Sequence, residues 1–550
     1  MTTCGEVLVE ILENYGIDTV FGIPGVHTVE FYRGLPQTRI RHITPRHEQG
    51  AGFMADGYAR ASGRPAACFI ISGPGMTNIL TAMGQAYADS IPMLVISSVN
   101  NTHELGLGEG RLHELPDQRA MARGVSVFSH SVLRAAELPS VLARAFAVFD
   151  SARPGPVHIE LPLDVIAAPG DALACAAHRT RARPGPDPDA IARAAALLRG
   201  AADPFVVLGG GTADAADAAR ALVERLGAPV ALTVNAKGVL PPFHPLSLGS
   251  TLPQRPVLDA LEAADVVLAI GTELGETDTH LFHGRLELAG KVIRIDIEAE
   301  QTTRNALPEV AICSDAGLAM RALHAALEGF APGQAPGQPP GQPPGQPPGQ
   351  SRTPARVAEM RAGLAQLLRP DYRVHQRFLE QVAEALPGVI IVGDSTQPVY
   401  GGNLAWEAAA PRSYFTSSTG YGTLGYALPA AFGARLAQPA RPVVALIGDG
   451  GIQFTIGELA TAVELGLPVP VLLWNNRGYG EIKQYMAERG IPQIGVDIYT
   501  PDFQTIARGF GCHALKAESF AHLRDALREA VQSDRPTLIE IDDAAARAWS

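Results

Sequence analysis

Short, unbroken apolar runs recur along this chain, and helical stretches fill the intervals between them. Asp18-Thr-Val-Phe-Gly, Ala66 to Ser72 and Met93 to Ser97 come first, separated by helical patterns over Gln49 to Ala61 and Met76 to Ala88. Phe205 to Leu208, Val230 to Thr233, Val266 to Ile270 and Val292 to Ile295 repeat the theme between alanine-rich helices. So do Val389 to Val392, Val443 to Ile447, Val469 to Trp474 and Thr537 to Ile541. A strand apolar on both faces must be covered on both faces, and alternating helices supply that cover over a parallel sheet. The expected fold is α/β, with three doubly wound parallel-sheet domains. Ligands of such sheets sit beyond the carboxyl ends of the strands.

Domain limits follow from composition. Ala331 to Gln350 repeats Pro-Gly-Gln without apolar periodicity; such a segment builds no core and reads as an exposed, semi-extended linker. A softer boundary lies near Ala167 to Pro188. The expected domains are 1–170, 188–328 and 354–550, with the linker at 331–352. A chain of 550 residues, 46% hydrophobic and 18% charged, has the size and composition for that many cores. Its net charge of −12 argues against nucleic-acid or membrane partners, which need a basic face. The five cysteines are scattered and form no C-x-x-C, so neither a disulfide framework nor a zinc site is expected. With no basic-then-apolar leader and no apolar run long enough to span a bilayer, a cytoplasmic location is expected.

Two strand ends carry the strongest chemical signal. Val443 to Ile447 runs into Gly448-Asp449-Gly450-Gly451 and a helix holding Glu458, Leu459 and Ala462. The next strand, Val469 to Trp474, ends in Asn475-Asn476-Arg477-Gly478. In a parallel sheet these ends lie side by side. A carboxylate, an amide oxygen and a backbone carbonyl suit a hard cation such as Mg2+, with calcium and manganese also compatible. The glycines leave N–H groups open to phosphate at the helix start. A lone G-D-G is an ordinary loop; paired at this spacing with N-N it is specific.

The pair resembles the thiamine diphosphate signature of the family that includes acetolactate synthases, pyruvate decarboxylase and benzoylformate decarboxylase. The resemblance implies that Asp449, Asn476 and the Gly478 carbonyl bind Mg2+, with Gly450 and Gly451 at the diphosphate. Gly420-Tyr-Gly-Thr-Leu-Gly-Tyr-Ala-Leu-Pro-Ala-Ala resembles the family's G-x-G-x-[MLI]-G stretch. That implies a Gly422 carbonyl bonded to the pyrimidine amino group and a Leu424 side chain that keeps the cofactor bent. Gly393-Asp-Ser-Thr-Gln resembles the diphosphate-contacting loop, which adds Thr396 and Gln397. The run Arg46-His-Glu-Gln-Gly-Ala-Gly-Phe-Met-Ala-Asp-Gly-Tyr-Ala is similar to the family's R-H-E-x-x-A-x-x-x-A-x-G-Y-A. Alone, Glu48 would be a first-turn acid offsetting the helix dipole. The resemblance makes it the carboxylate at pyrimidine N1′ that favours loss of the C2 proton. Family sites lie between subunits, which implies a homodimer or homotetramer.

The substrate pocket departs from the synthases. Leu112-His113-Glu114 stands where they carry Phe-Gln-Glu, and His113 matches one of two adjacent histidines in simple decarboxylases, in place to relay a proton. Glu481 and Tyr485 replace the synthases' Met and Trp. An acid facing the substrate suits a cationic tail, and a guanidinium pairs with a carboxylate through parallel hydrogen bonds. The run from Phe21 to Glu30, with Pro45 to Arg60, resembles bacterial 2-ketoarginine decarboxylases. The expected reaction is decarboxylation of a 2-oxo acid, 5-guanidino-2-oxopentanoate being favoured, to an aldehyde and CO2; the alternative is acetolactate synthase-type joining of two pyruvates. Gly271-Thr-Glu-Leu-Gly-Glu-Thr-Asp lacks the synthases' Gly-x-Arg-Phe-Asp-Asp-Arg, and Gly209-Gly210-Gly211 is a weak nucleotide signal. The middle domain is expected to bind no FAD.

Overall fold

A computed structural model describes residues 2–180, 182–280, 284–330 and 353–549. The expected Pro-Gly-Gln linker lies outside the described residues. The first sheet holds β1 (Thr19–Gly22), β2 (Arg41–Ile43), β3 (Ala66–Ile70), β4 (Met93–Val99), β5 (Phe128–Ser131) and β6 (Pro156–Pro162) in the order β2-β1-β3-β4-β6-β5. The second holds β7 (Pro204–Leu208), β8 (Val230–Leu232), β9 (Val266–Ile270), β10 (Lys291–Asp296) and β11 (Val310–Cys313) in the order β11-β10-β9-β7-β8. The third holds β12 (Ile390–Gly393), β13 (Tyr414–Thr416), β14 (Val443–Gly448), β15 (Pro470–Asn475), β16 (His513–Lys516) and β17 (Thr537–Asp542) in the order β13-β12-β14-β15-β17-β16. The pairings are parallel throughout the registers given for each sheet. The expected three parallel-sheet α/β domains are therefore present. The first and third sheets thread their strands in the same permutation.

Among the described residues, 183–380 and 400–415 cluster into one compact unit with the five-stranded sheet; 1–182, 381–399 and 416–550 form the other, which holds the first sheet and all of the third except Tyr414 and Phe415 of β13. In the middle unit, alternate residues of each strand serve opposite faces. Val206, Leu208, Leu268 and Ile270 pack with Leu222, Val223 and Leu323. Phe205, Val207, Val267 and Ala269 pack with Leu258, Leu261, Val357 and Leu364. The turns after β7 and β9 meet backbone to backbone. Gly209 N–H donates to Ile270 O at 2.9 Å and Gly211 N–H to Gly271 O at 3.0 Å, so both amides are engaged inside the domain. Lys237 is buried here, its Nζ donating to Ser250 Oγ at 2.5 Å and to the Trp406 carbonyl. Burial pushes its ammonium down to about 7.

In the other unit, the Glu48–Ser62 helix crosses the Ala427–Ala437 helix. Glycine makes the crossing close: a Cβ at Gly57 would lie 2.0 Å from the Ala430 carbonyl, and one at Gly433 1.9 Å from the Met54 carbonyl. Beside it Arg60 is ion-paired with Asp56 at 2.6 Å and Asp89 at 2.7 Å, and Tyr426 donates to Asp56. Charges this buried persist only when paired.

Candidate active site

Strand order reverses between β12 and β14, the crevice where open α/β sheets take ligands. β12 feeds Asp394-Ser-Thr396-Gln397 into the Gln397–Ala405 helix; β14 feeds Asp449 into the short Asp449–Ile452 helix. Gly448 pairs with Trp474 in the ladder, which brings Asn475 and Asn476 beside Asp449. A Cβ on Gly448 would lie 2.8 Å from Thr396 Oγ1. The structure thus gathers Thr396, Gln397, Asp449, Gly450, Gly451, Asn476 and Gly478 at one crevice.

The polar geometry there fits a cation. Asn476 donates from Nδ2 to Gln397 Oε1 at 2.9 Å. Its other amide atom, Oδ1, then stands 2.8 Å from the Gly478 carbonyl and 3.0 Å from Asp449 Oδ1. Three oxygens facing one another without a proton repel. Either the amide turns its Nδ2 into that gap or a cation fills it, and the oxygen-only set is what Mg2+ prefers. Arg477 takes φ +62° and Gly478 φ +152°, and a Cβ at Gly478 would lie 2.4 Å from the Val496 carbonyl. That turn needs glycine. Asp449 is 1% exposed; burial pushes its carboxyl up, and donors from Asn476, Gly478 and Thr500 pull it back. Among the described residues no group of three His, Cys, Asp or Glu could hold a metal; this set is one carboxylate, one amide and one carbonyl.

Asp394, which the sequence reading passed over, organises the neighbouring turn. Fully buried, its carboxylate accepts from Ser395 N at 2.9 Å, Gly425 N at 3.3 Å and Ala427 N at 3.0 Å. Burial nevertheless pushes it up to about 6. It fixes the segment that holds Gly422, at φ +77°, and half-buried Leu424. Gly451 sits against it, a Cβ there falling 3.0 Å from Asp394 Oδ1.

The first sheet gathers a second cluster around the start of the Pro74–Ala88 helix. Half-buried Glu48 accepts from Asn78 Nδ2 at 2.9 Å through Oε2, and its Oε1 faces Gly75. His113, at φ +61°, lies over Gly73. Its ring meets His27 edge to face at 5.1 Å, and His27 Nδ1 pairs with Ser72 Oγ at 2.8 Å. Burial first, then the His113 charge, holds the His27 imidazolium down. The His27–Ser72 bond bridges the ends of β1 and β3, the order-reversal point of that sheet. His27 and Asn78 were missed in the sequence; the Gly73-Pro-Gly start of the helix was the available signal.

Glu481 and Tyr485 sit on the Gly480–Glu488 helix, just past Gly478. Glu481 is half-buried. Tyr485 is exposed, with the Arg489 guanidinium 4.3 Å from its ring centroid. Glu48 and the Gly422 turn attach to opposite ends of one helix. Gly75 meets Glu48, and a Cβ at Gly84 would lie 2.5 Å from the Tyr421 ring, about 14 Å further along at 1.5 Å rise per residue.

The two strand-end clusters stand in a chain that belongs to the thiamine pyrophosphate enzyme family. Residues 2–121 match its N-terminal TPP binding domain, 191–323 its central domain and 394–541 its C-terminal TPP binding domain. Thiamine diphosphate is the cofactor. The chain is 46% identical over 99% of its length, and 95% of the relative's, to "Probable 2-ketoarginine decarboxylase AruI" of Pseudomonas aeruginosa. It is 32% identical to acetolactate synthase isozyme 1 large subunit of Escherichia coli, covering 98% and 93% of the two chains. A solved structure described as a thiamin diphosphate-dependent enzyme from Mycobacterium smegmatis superimposes with TM-score 0.80 at 25% identity, covering 98% and 99%. Among the described residues no helix is long and apolar enough to cross a membrane.

Proposed function

We propose that the chain is a cytoplasmic decarboxylase of 2-oxo acids that favours 5-guanidino-2-oxopentanoate, releasing an aldehyde and CO2. The observation that carries the substrate is the 46% identity, over nearly the whole of both chains, to "Probable 2-ketoarginine decarboxylase AruI", against 32% to an acetolactate synthase. Bound thiamine diphosphate supplies the nucleophilic carbon and takes up the electron pair as CO2 departs. The chain's residues place and tune that chemistry. Asp449, Asn476 and the Gly478 carbonyl hold Mg2+. Gly450, Gly451, Thr396 and Gln397 surround the diphosphate. The Gly422 carbonyl and Leu424 set the shape in which the cofactor is held. Glu48 bonds pyrimidine N1′, and His113 hands a proton to the substrate carbon after CO2 leaves. Glu481 pairs with the guanidinium beside Tyr485.

On this reading residues 1–170 bind the pyrimidine, 354–550 bind the diphosphate, and 188–328 form a middle domain without FAD. As in the family the chain resembles, each site takes Glu48 from one subunit and Asp449 from another, in a homodimer or homotetramer. The test is turnover by purified protein with thiamine diphosphate and Mg2+, comparing 5-guanidino-2-oxopentanoate with pyruvate. Rapid formation of an aldehyde from the guanidino acid supports the proposal. Acetolactate from pyruvate, with the guanidino acid ignored, rejects it in favour of the synthase reaction.

A further inference from the structure

The Glu48 carboxylate is held by groups whose purpose is not obvious from their places in the sequence. Glu458 leaves the first turn of the Glu458–Glu464 helix and is 2% exposed. Its carboxylate accepts from Arg46 N at 3.1 Å through both oxygens, from His47 N at 3.1 Å, and from Thr461 Oγ1 at 2.7 Å. Those two amides immediately precede Glu48. Gly50 makes room for the contact: a Cβ there would lie 2.1 Å from Glu458 Oε1. Arg46 is tied to the same helix again through Glu464. His47 Nδ1 accepts from Gln49 N at 3.1 Å as the N-cap.

These contacts change how Glu48 reads. A carboxylate at a helix start ordinarily satisfies orphan amides or offsets the dipole. Glu458 and His47 already do both. Glu48 is left with one neighbour fixing its side chain: Asn78 donates to Oε2. Oε1 is then the oxygen left to meet a ligand.

We infer that Glu458 and Asn78 are positioning residues for Glu48, the first locking the backbone that carries it and the second locking the rotation of its carboxylate. The inference rests on Glu48 as the group that bonds pyrimidine N1′. Both residues act through Glu48, so they control deprotonation at cofactor C2 more than they control cofactor binding.

The experiment uses the full chain in two states. Without cofactor, amide hydrogen exchange is followed over residues 44–50 in wild type and Glu458→Gln. With thiamine diphosphate and Mg2+, C2 proton exchange and the cofactor Kd are measured for wild type, Glu48→Gln, Glu458→Gln and Asn78→Ala. Glu458→Gln is expected to speed amide exchange in that segment. Both positioning variants are expected to slow C2 exchange by about tenfold to a hundredfold, with Kd within about threefold of wild type, as misplacement of a reacting group predicts. Wild-type C2 exchange in folded Glu458→Gln or in Asn78→Ala overturns the inference, even if amide exchange rises. Should Glu458→Gln fail to fold, Asn78→Ala decides alone by the same criterion. Wild-type exchange in Glu48→Gln would instead reject the role given to Glu48 itself.

Discussion

The Asn476 side-chain amide lies 3.0 Å from Asp449 Oδ1 and 2.8 Å from the Gly478 carbonyl oxygen. With its oxygen turned to that side, the amide completes an oxygen set of the kind Mg2+ prefers. Asp449→Ala is expected to weaken Mg2+ binding by more than the roughly 10–100-fold typical of an outer-shell partner. Asn476→Leu should act in the same direction. Titration of Mg2+ against cofactor binding measures it; an unaltered Mg2+ dependence in both variants would remove them from the site.

The glycine crossing of the Glu48–Ser62 and Ala427–Ala437 helices should tolerate no side chain. In Gly433→Ala the new methyl would meet the Met54 carbonyl, 1.9 Å away before relaxation. Overpacking of this kind costs about 1–3 kcal/mol. Urea unfolding of the apoprotein reads it, and a stability equal to wild type would show that the helices part without penalty.

Glu481 should separate substrates by charge. Glu481→Gln is expected to raise KM for 5-guanidino-2-oxopentanoate by about tenfold, or about 1.4 kcal/mol. A neutral 2-oxo acid should be little affected. Equal changes for both would break the link between this carboxylate and a guanidinium.

Lys237 gives the middle unit a pH signature. Its folded value of about 7 lies below the ordinary 10.5. As pH falls from about 10.5 to 7, the unfolded chain takes up a proton that the folded chain does not. Folding stability contributed by this group therefore decreases on acidification through that window and is level below it. Lys237→Met removes the titration. Relative to wild type, the variant should be most stable near pH 7 and lose that advantage by pH 10. A difference in Tm that does not change with pH would refute the assignment.

What the sequence disclosed and what it hid divide along physical lines. The apolar strands of the sheet interiors were legible because they are buried on both faces. Among the strands not read, β2, β5, β11, β13 and β16 are all short edge strands with weak patterns, and all but the buried β13 are partly solvated. β6 is different. It lies inside its sheet yet reads Pro-Val-His-Ile-Glu-Leu-Pro, and the polar residues disguise it. They are tolerable because partners bury them: His158 bonds Ser97 and Ser129, and Glu160 bonds Gln118 and Ser131.

The site shows the same split. The cofactor and family were legible because Asp449, Asn476 and Glu48 sit in contiguous motifs. Glu458 was seen only as a helix residue, since its partners Arg46 and His47 lie more than four hundred positions away in sequence. Asn78 looked like one more polar residue on an amphipathic helix. Nothing in local patterning distinguishes a side chain whose function is to hold another.

The first and third sheets share one strand permutation, so each crevice position in one has a counterpart in the other. The end of β14, where Asp449 stands, corresponds to the end of β3, where Ile71-Ser72-Gly73 stands. At the position of Asp449 the counterpart has Ser72, whose hydroxyl is paired with His27. Of two crevices of equal topology only the one at Asp449 is expected to take Mg2+, and elemental analysis of the loaded protein should find one equivalent of magnesium for each chain.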